Sequence, residues 1–189
     1  MKKGFEKYKL VKEKSLLFNV HNDFELSTEE YVLIHTFYLT YTLVSSASDL
    51  SISYIGYGWK SNSYISNGAK NEICKFIDLD NESVFMVASE ENNLKDIYSE
   101  LKLNDNENDF SFERVALCNS KGSNRFEKFL ILIRNCLAHG AYRLKYYNGA
   151  KMVIMQDQKD RNVTGRAIIK LSTLLDIAKA IDKNGLLEK

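Results

Sequence analysis

The stretch Ser123–Gly140, SNRFEKFLILIRNCLAHG, determines how the rest of the chain is interpreted. Its apolar residues recur at helical spacing, and its ends carry helix-boundary residues, Ser123 as an N-cap and Gly140 as a left-handed C-terminal glycine. The run Phe129–Ile133 is apolar on every side, so this helix is expected to lie centrally rather than on the surface. The stretch therefore predicts a buried core helix.

Three polar residues, Arg134, Asn135 and His139, interrupt this apolar helix near its end. Polar groups are costly to bury without partners, so their clustering indicates a site or an interface. Asn135 and His139 share a helix face, whereas Arg134 and His139 are separated by roughly 140° around the axis. One helix therefore makes a poor Arg–His pair, but two copies related by a twofold axis could share a cleft. An arginine and a histidine converging on one cleft suit a phosphodiester.

The string Arg134-Asn-Cys-Leu-Ala-His139 resembles the Arg-x4-6-His motif of the HEPN superfamily (higher eukaryotes and prokaryotes nucleotide-binding). The longer string Ile133–Gly140, IRNCLAHG, resembles the form found in small prokaryotic HEPN proteins, many of which are similar to toxins or anti-phage ribonucleases. The chain departs from HEPN toxins that pair with nucleotidyltransferases, which often carry His-x-Tyr, because it has His139-Gly-Ala-Tyr142.

The resemblance implies a mainly α fold, with residues 1–189 forming a single HEPN-like domain. An antiparallel helical bundle would occupy about residues 1–141, and about residues 142–189 would form a small three-stranded β appendage and a closing helix. In the bundle, helices are expected over 2–19, from Ser27 to about Leu50, over 69–79, from about Ser89 to Leu101, and over Phe112–Cys118. In the appendage, strands are expected over Tyr142–Tyr147, Ala150–Gln156 and Val163–Lys170, with an Asn148-Gly149 hairpin turn and a last helix capped by Ser172 or Thr173.

The activity implied by the resemblance is that of a metal-independent endoribonuclease of toxin or anti-phage defence type, with an active site shared across a homodimer cleft. Arg134 would stabilise charge on the scissile phosphate, His139 would act as general acid or base, and Asn135 would orient the phosphate or His139. No metal or cofactor is expected. RNA and a cognate antitoxin or other inhibitory protein are the expected partners. The residues expected to bind substrate are Tyr142, Arg143 and Lys145.

Other interpretations remain open at this stage, including a purely structural accessory protein of a defence operon. The chain could be a non-catalytic HEPN-like dimer that binds RNA, a nucleotide or a protein partner, with Arg134 and His139 as an interface network or a binding cleft. Cys136 and His139 also have metal-ligand spacing, but a zinc site would have to recruit the distant Cys74 and Cys118. A Cys136 nucleophile is disfavoured, because this thiol lies in the apolar part of the helix.

Composition favours a cytoplasmic protein without a membrane span. Of its 189 residues 44% are hydrophobic and 27% charged, and no stretch approaches 18 uninterrupted apolar residues. The lysine-rich N-terminus lacks a following apolar segment, and three scattered cysteines fit reduced thiols. Residues 78–113 carry two basic and eleven acidic side chains, whereas residues 114–189 carry fifteen basic and six acidic ones. The motif thus lies in the basic part of the chain, as a phosphate-binding surface requires.

Overall fold

A computed structural model describes residues 17, 20–43, 50–59, 84–89, 94–104, 109–118, 125–159 and 162–187. The helices expected over 2–19 and 69–79 lie almost wholly outside these residues. Within the described part, no helix has the length and apolarity needed to span a bilayer.

Helices and strands alternate along the described chain up to its last part, which is three consecutive strands followed by a helix. The first helix, α1 (Thr28–His35), begins with a capping box at Ser27, whose Oγ accepts from the Glu30 amide while the Glu30 carboxylate accepts from the Ser27 amide. The elements are α1 (Thr28–His35) with a π-helical continuation (Thr36–Thr40), β1 (Val84–Ser89), α2 (Leu94–Glu100), β2 (Arg114–Cys118), α3 (Arg125–Ala138), β3 (Tyr142–Tyr147), β4 (Ala150–Lys159), β5 (Asn162–Lys170) and α4 (Leu171–Ile181).

The five strands form one mixed sheet in the order β1-β2-β5-β4-β3. Only β1 and β2 are parallel, and the remaining neighbours are antiparallel. The β3–β4 hairpin turns at Asn148-Gly149, where both residues have positive φ, +48° and +80°. This is the backbone that a two-residue turn of the expected type requires.

Both faces of the sheet are covered, which explains the continuous buried runs in its central strands. On β4, Val153 and Met155 join the cluster formed with α1, its π-helical continuation, α3 and α4, whereas Met152 and Ile154 join a second cluster on the opposite face. The second cluster is formed with Tyr98 of α2 and the segment that follows it. Helices α1, α3 and α4 therefore cover one face, and α2 with its C-terminal extension covers the other.

The expected mainly α bundle with a small β appendage is wrong, because the protein is a mixed α/β structure organised around the sheet. The three C-terminal strands form at the expected positions, but β5 and β4 are interior strands of a larger sheet and not an appendage. Two features cause the difference. The long strands β4 and β5 are buried on both faces, and β5 also pairs with β2, which lies outside the expected appendage.

Strand β2 forms where a helical segment over Phe112–Cys118 was expected. The apolar run Val115–Cys118 is too short to be assigned to helix or strand by periodicity, and the pairing of this segment with β5 decides the outcome. The last helix begins at Leu171, directly after β5, with Lys170 at the N-cap position and no side-chain cap from Ser172 or Thr173.

The motif helix α3 lies centrally, as its apolar sequence predicts. Phe129 and Ile133 are fully buried. The helix approaches β5 so closely at Gly165 that a Cβ atom there would lie 2.8 Å from Leu132 Cδ1 and 3.4 Å from the Ala116 carbonyl oxygen. This glycine lets α3 pack directly on the strand, which brings the polar end of α3 beside the ends of β4 and β5.

Candidate functional site

His139 is exposed because of the way helix α3 ends. Gly140 has φ of +63°, the Gly140 amide donates to the Leu137 carbonyl (3.3 Å), and the Ala141 amide donates to the Cys136 carbonyl (2.8 Å). This pair of bonds is a Schellman motif, which makes His139 the C-cap residue and turns the chain into β3. The imidazole is therefore presented to solvent beside the last turn of α3.

A polar cleft of about 410 Å³ opens beside His139. One wall comes from the end of α3 and the turn after it, and the other from the outer part of β4. Asn135 and Asp157 are half-buried in these walls, and Gln158 is exposed. The residues that line the cleft are Leu17, Asn135, His139, Ala141, Gln156, Asp157 and Gln158.

A chain of hydrogen bonds links the motif to the sheet. Arg134 Nη1 donates to Asn135 Oδ1 (3.0 Å), and Asn135 Nδ2 donates to Asp157 Oδ2 (3.3 Å). The hydroxyl of Thr164 on β5 donates to the same Asp157 oxygen (2.8 Å). Asp157 therefore fixes the amide of Asn135, and that amide in turn holds the guanidinium of Arg134.

The arrangement depends on a β-bulge. Asp157 is opposite Gly165 but Gln158 is opposite Val163, so Thr164 is an extra residue in β5. A bulge bends the strand and redirects side chains. Here Thr164 places its hydroxyl on Asp157. Three consecutive residues, 156–158, line one cleft, which the alternation of a regular strand does not allow.

A buried arginine positions Gln156 from behind. Arg166 is fully buried on β5, and its Nε donates to Gln156 Oε1 (3.0 Å) while Nη1 donates to the Leu103 carbonyl (2.7 Å). Its guanidinium lies 4.8 Å from the centroid of the Tyr98 ring. This basic residue is therefore part of the fold on the α2 side of the sheet.

Cys136 is fully buried in α3, one turn before Gly140. Burial raises the pKa of its thiol, and the negative charge of Asp157 raises it further. The thiol therefore stays neutral, which agrees with the expectation that it is not a nucleophile. In the described ranges, which omit Cys74, no three His, Cys, Asp or Glu side chains gather closely enough to hold a metal ion.

The other residues expected to bind substrate lie along β3 and make contacts within the chain. Residues 20–24, which we call the N-terminal strap, run beside this edge strand, and the Asp23 amide donates to the Leu144 carbonyl (2.8 Å). Arg143 Nε donates to the Val20 carbonyl (2.9 Å), and Lys145 forms an ion pair with Asp23. Tyr142 is half-buried against the core on the α3 side.

The structure thus brings Asn135 and His139 together at the cleft and places Arg134 behind Asn135, outside the cleft lining. Sequence reasoning missed Gln156, Asp157 and Thr164. Their roles depend on the register of β4 and β5 and on the bulge between them, which no local sequence pattern reveals. Only the polar run Gln156-Asp-Gln158, at the end of an apolar strand, marks the position.

The chain matches no protein-family model, no curated protein and no solved structure. The geometry of the site is therefore the basis for its function. The site combines the exposed imidazole of His139, the guanidinium of Arg134, which Asn135 holds, and a cleft walled by amides and one carboxylate. Such a site can bind a polar ligand and transfer a proton.

Proposed function

We propose that this protein is a cytoplasmic endoribonuclease that cleaves RNA without a metal ion, with His139 as its acid–base group. The observation that carries the proposal is the exposed imidazole at the mouth of a polar cleft, on the helix whose sequence resembles the HEPN motif. Imidazole is the side chain best suited to proton transfer near neutral pH.

The reaction is an internal transesterification. The ribose 2′-oxygen attacks phosphorus as its proton passes to a base, and the P–O5′ bond breaks as an acid donates a proton to O5′. The products are a 2′,3′-cyclic phosphate and a 5′-hydroxyl end. One imidazole supplies one of these proton transfers, so a second copy of the chain would supply the other from its own histidine.

Arg134 would stabilise the charge that develops on the phosphate oxygens. Its bond to Asn135, and the bonds from Asn135 and Thr164 to Asp157, hold the guanidinium in one orientation before substrate binds. Because Arg134 does not line the cleft beside His139, the proposal includes a homodimer in which the scissile phosphate lies between two copies of α3. A toxin or defence role, with an inhibitory protein partner, follows from the harm that an unregulated ribonuclease causes.

The test is induced expression in a bacterial host, with growth and total-RNA integrity as readouts. Wild type is expected to stop growth and fragment RNA, and both His139→Ala and Arg134→Ala are expected to abolish these effects. His35→Ala is the matched control, because His35 is also exposed but lies on α1, stacked on Tyr31 at 5.5 Å. RNA that stays intact with wild type, or that is cut equally by His139→Ala, would contradict the proposal.

A second candidate function is non-catalytic binding of RNA or a nucleotide in the same cleft. The observation in its favour is the lining by Asn135, Gln156 and Gln158, whose amides form hydrogen bonds without doing acid–base chemistry. Harmless expression, together with RNA binding by the purified protein that His139→Ala does not change, would select this function.

A further inference from the structure

The charge in the cleft is of the wrong sign for a phosphate. Asp157 is the carboxylate in its wall, and none of the described residues that line it is a lysine or arginine. A carboxylate repels a phosphodiester and costs affinity where the two come together. The phosphate of a bound RNA would therefore stay at the mouth, near His139, and an uncharged part of the nucleotide would enter the cleft.

The shape and lining of the cleft fit a nucleobase. Its volume of about 410 Å³ is within the range of small-molecule sites. Leu17 and Ala141 supply apolar surface for the face of a planar ring, and the amides of Asn135 and Gln158 supply donors and acceptors for its edge.

Asp157 is oriented and still able to accept hydrogen bonds. Its Oδ2 already accepts from Asn135 and Thr164, and both donors are on elements of regular secondary structure. An ionised carboxylate has about four acceptor sites, so Oδ1 retains capacity for a ligand. Hydrogen bonds to a charged acceptor are roughly twice as strong as neutral ones.

We propose that the cleft binds one base of the RNA by its Watson–Crick edge and that it prefers guanine. Guanine is the RNA base with two neighbouring N–H donors, N1–H and N2–H, next to the O6 acceptor. Oδ1 of Asp157 accepts from these donors, and the amide N–H of Gln158 donates to O6. This inference rests on the proposed function, because that function makes RNA the ligand.

The experiment is calorimetric titration of the wild-type protein with GMP, AMP, CMP, UMP and inorganic phosphate. These nucleotides have no phosphodiester bond to cleave, so binding is measured separately from catalysis. GMP is expected to bind at least about tenfold more tightly than the other three, since one charge-assisted bond is worth about a factor of ten. Equal binding of all four nucleotides, or binding of phosphate as tight as that of GMP, would overturn the proposal.

Two variants sharpen the test. Asp157→Asn should remove the preference for GMP, because the amide places a donor where an acceptor is needed. Asp176→Asn, which makes the same change at an exposed carboxylate on α4 away from the cleft, should retain it. Gln158→Ala is an exposed substitution that leaves the bulge contacts in place, and it should weaken GMP binding a few-fold even if Asp157→Asn fails to fold. An unchanged GMP preference in Asp157→Asn would refute the role of the carboxylate.

The outcome separates this inference from the proposed function. GMP preference without RNA cleavage would retain the base site and reject the ribonuclease. RNA cleavage that depends on His139, without preference among the four nucleotides, would retain the ribonuclease and reject the guanine site.

Discussion

Two sets of polar residues, at the end of α3 and on β3, are close in sequence but differ in what they contact. At the end of α3, Asn135 and His139 line a cleft that is open to solvent. On β3, the strand that directly follows α3, Arg143 and Lys145 contact the N-terminal strap through the Val20 carbonyl and the Asp23 carboxylate. In the sequence, both sets look like candidates for a phosphate-binding surface.

The comparison shows that the basic charge of Arg143 and Lys145 has a structural explanation, because both side chains contact the strap. An edge strand such as β3 presents backbone groups with which another chain could pair, and covering such an edge is a common structural need. The strap meets this need with the Asp23 amide on Leu144 O and the Asp23 carboxylate on the Tyr146 amide (3.0 Å). Arg143 and Lys145 thus hold the strap against β3.

The largest expected effect is on the cleft side. Asn135→Ala removes both the acceptor of Arg134 and a donor to Asp157, so the guanidinium loses its fixed orientation. RNA cleavage is expected to fall about 100-fold, as on loss of one oriented group near a developing charge. Single-turnover cleavage of a short RNA measures the effect, and Lys128→Ala on the same helix is the control. If Asn135→Ala cleaves RNA at the wild-type rate, the hydrogen-bond chain from Arg134 to Asp157 has no role in cleavage.

The packing of α3 on β5 should respond strongly to a single methyl group. In Gly165→Ala, the new Cβ would meet Leu132 Cδ1 at 2.8 Å, so the helix or the strand must shift. Overpacking of this kind costs about 1–3 kcal/mol of unfolding free energy. Urea denaturation measures the loss, with Ser172→Ala, at an exposed position on α4, as a comparison. A stability equal to that of wild type would mean that α3 does not pack as closely as described.

On the strap side, Arg143→Ala should affect stability more than cleavage. It removes the donor to Val20 O and the donor to Tyr142 O (2.7 Å). Loss of charged donors of this kind costs about 1–2 kcal/mol. We expect a lower melting temperature and faster hydrogen exchange along β3, with cleavage per folded molecule nearly unchanged. The reverse pattern, normal stability with poor cleavage, would make Arg143 a substrate contact and break the comparison.

The smallest expected effect is a pH dependence of the strap. The Lys145 side chain and the Tyr146 amide lower the pKa of Asp23 below its ordinary value of 3.8. A lowered pKa in the folded state stabilises the strap fully above about pH 4, and this stabilisation is lost as pH falls through the folded value. Hydrogen exchange of the Tyr146 amide, corrected for its intrinsic rate, should therefore lose protection in acid.

Asp23→Asn should make that exchange less dependent on pH between about pH 4 and 2. Glu25→Gln, which changes an exposed neighbouring carboxylate, should leave the dependence as in wild type. An acid-dependent loss of protection that persists in Asp23→Asn would assign the titration to another group.

The sequence predicts local elements well where one pattern dominates. The apolar core and glycine end of α3, the Ser27 capping box and the Asn148-Gly149 turn are each set by residues within one or two turns of chain. It does not predict how strands associate. Strand β2 pairs with β5 about fifty residues later, and this non-local pairing makes the C-terminal strands part of a sheet.

The candidate site divides in the same way. Asn135 and His139 are recognisable because they interrupt an apolar helix, and the structure brings both to one cleft. Asp157 and Thr164 come together through a bulge, so their roles require the strand register. The contacts of Arg143 and Lys145 with the strap could not be predicted from the sequence, because the strap lies more than a hundred residues earlier in the chain.

The most direct test of the proposed ribonuclease is the chemistry of its products. Purified wild type and His139→Gln would be incubated with a 5′-labelled RNA in the presence of a metal chelator, with His35→Gln prepared in parallel to detect contaminating nucleases. The account predicts fragments that end in 2′,3′-cyclic phosphate from wild type and His35→Gln, and at least about 100-fold less cleavage by His139→Gln. Equal cleavage by His139→Gln, no cleavage by wild type, or fragments with 3′-hydroxyl ends would contradict it.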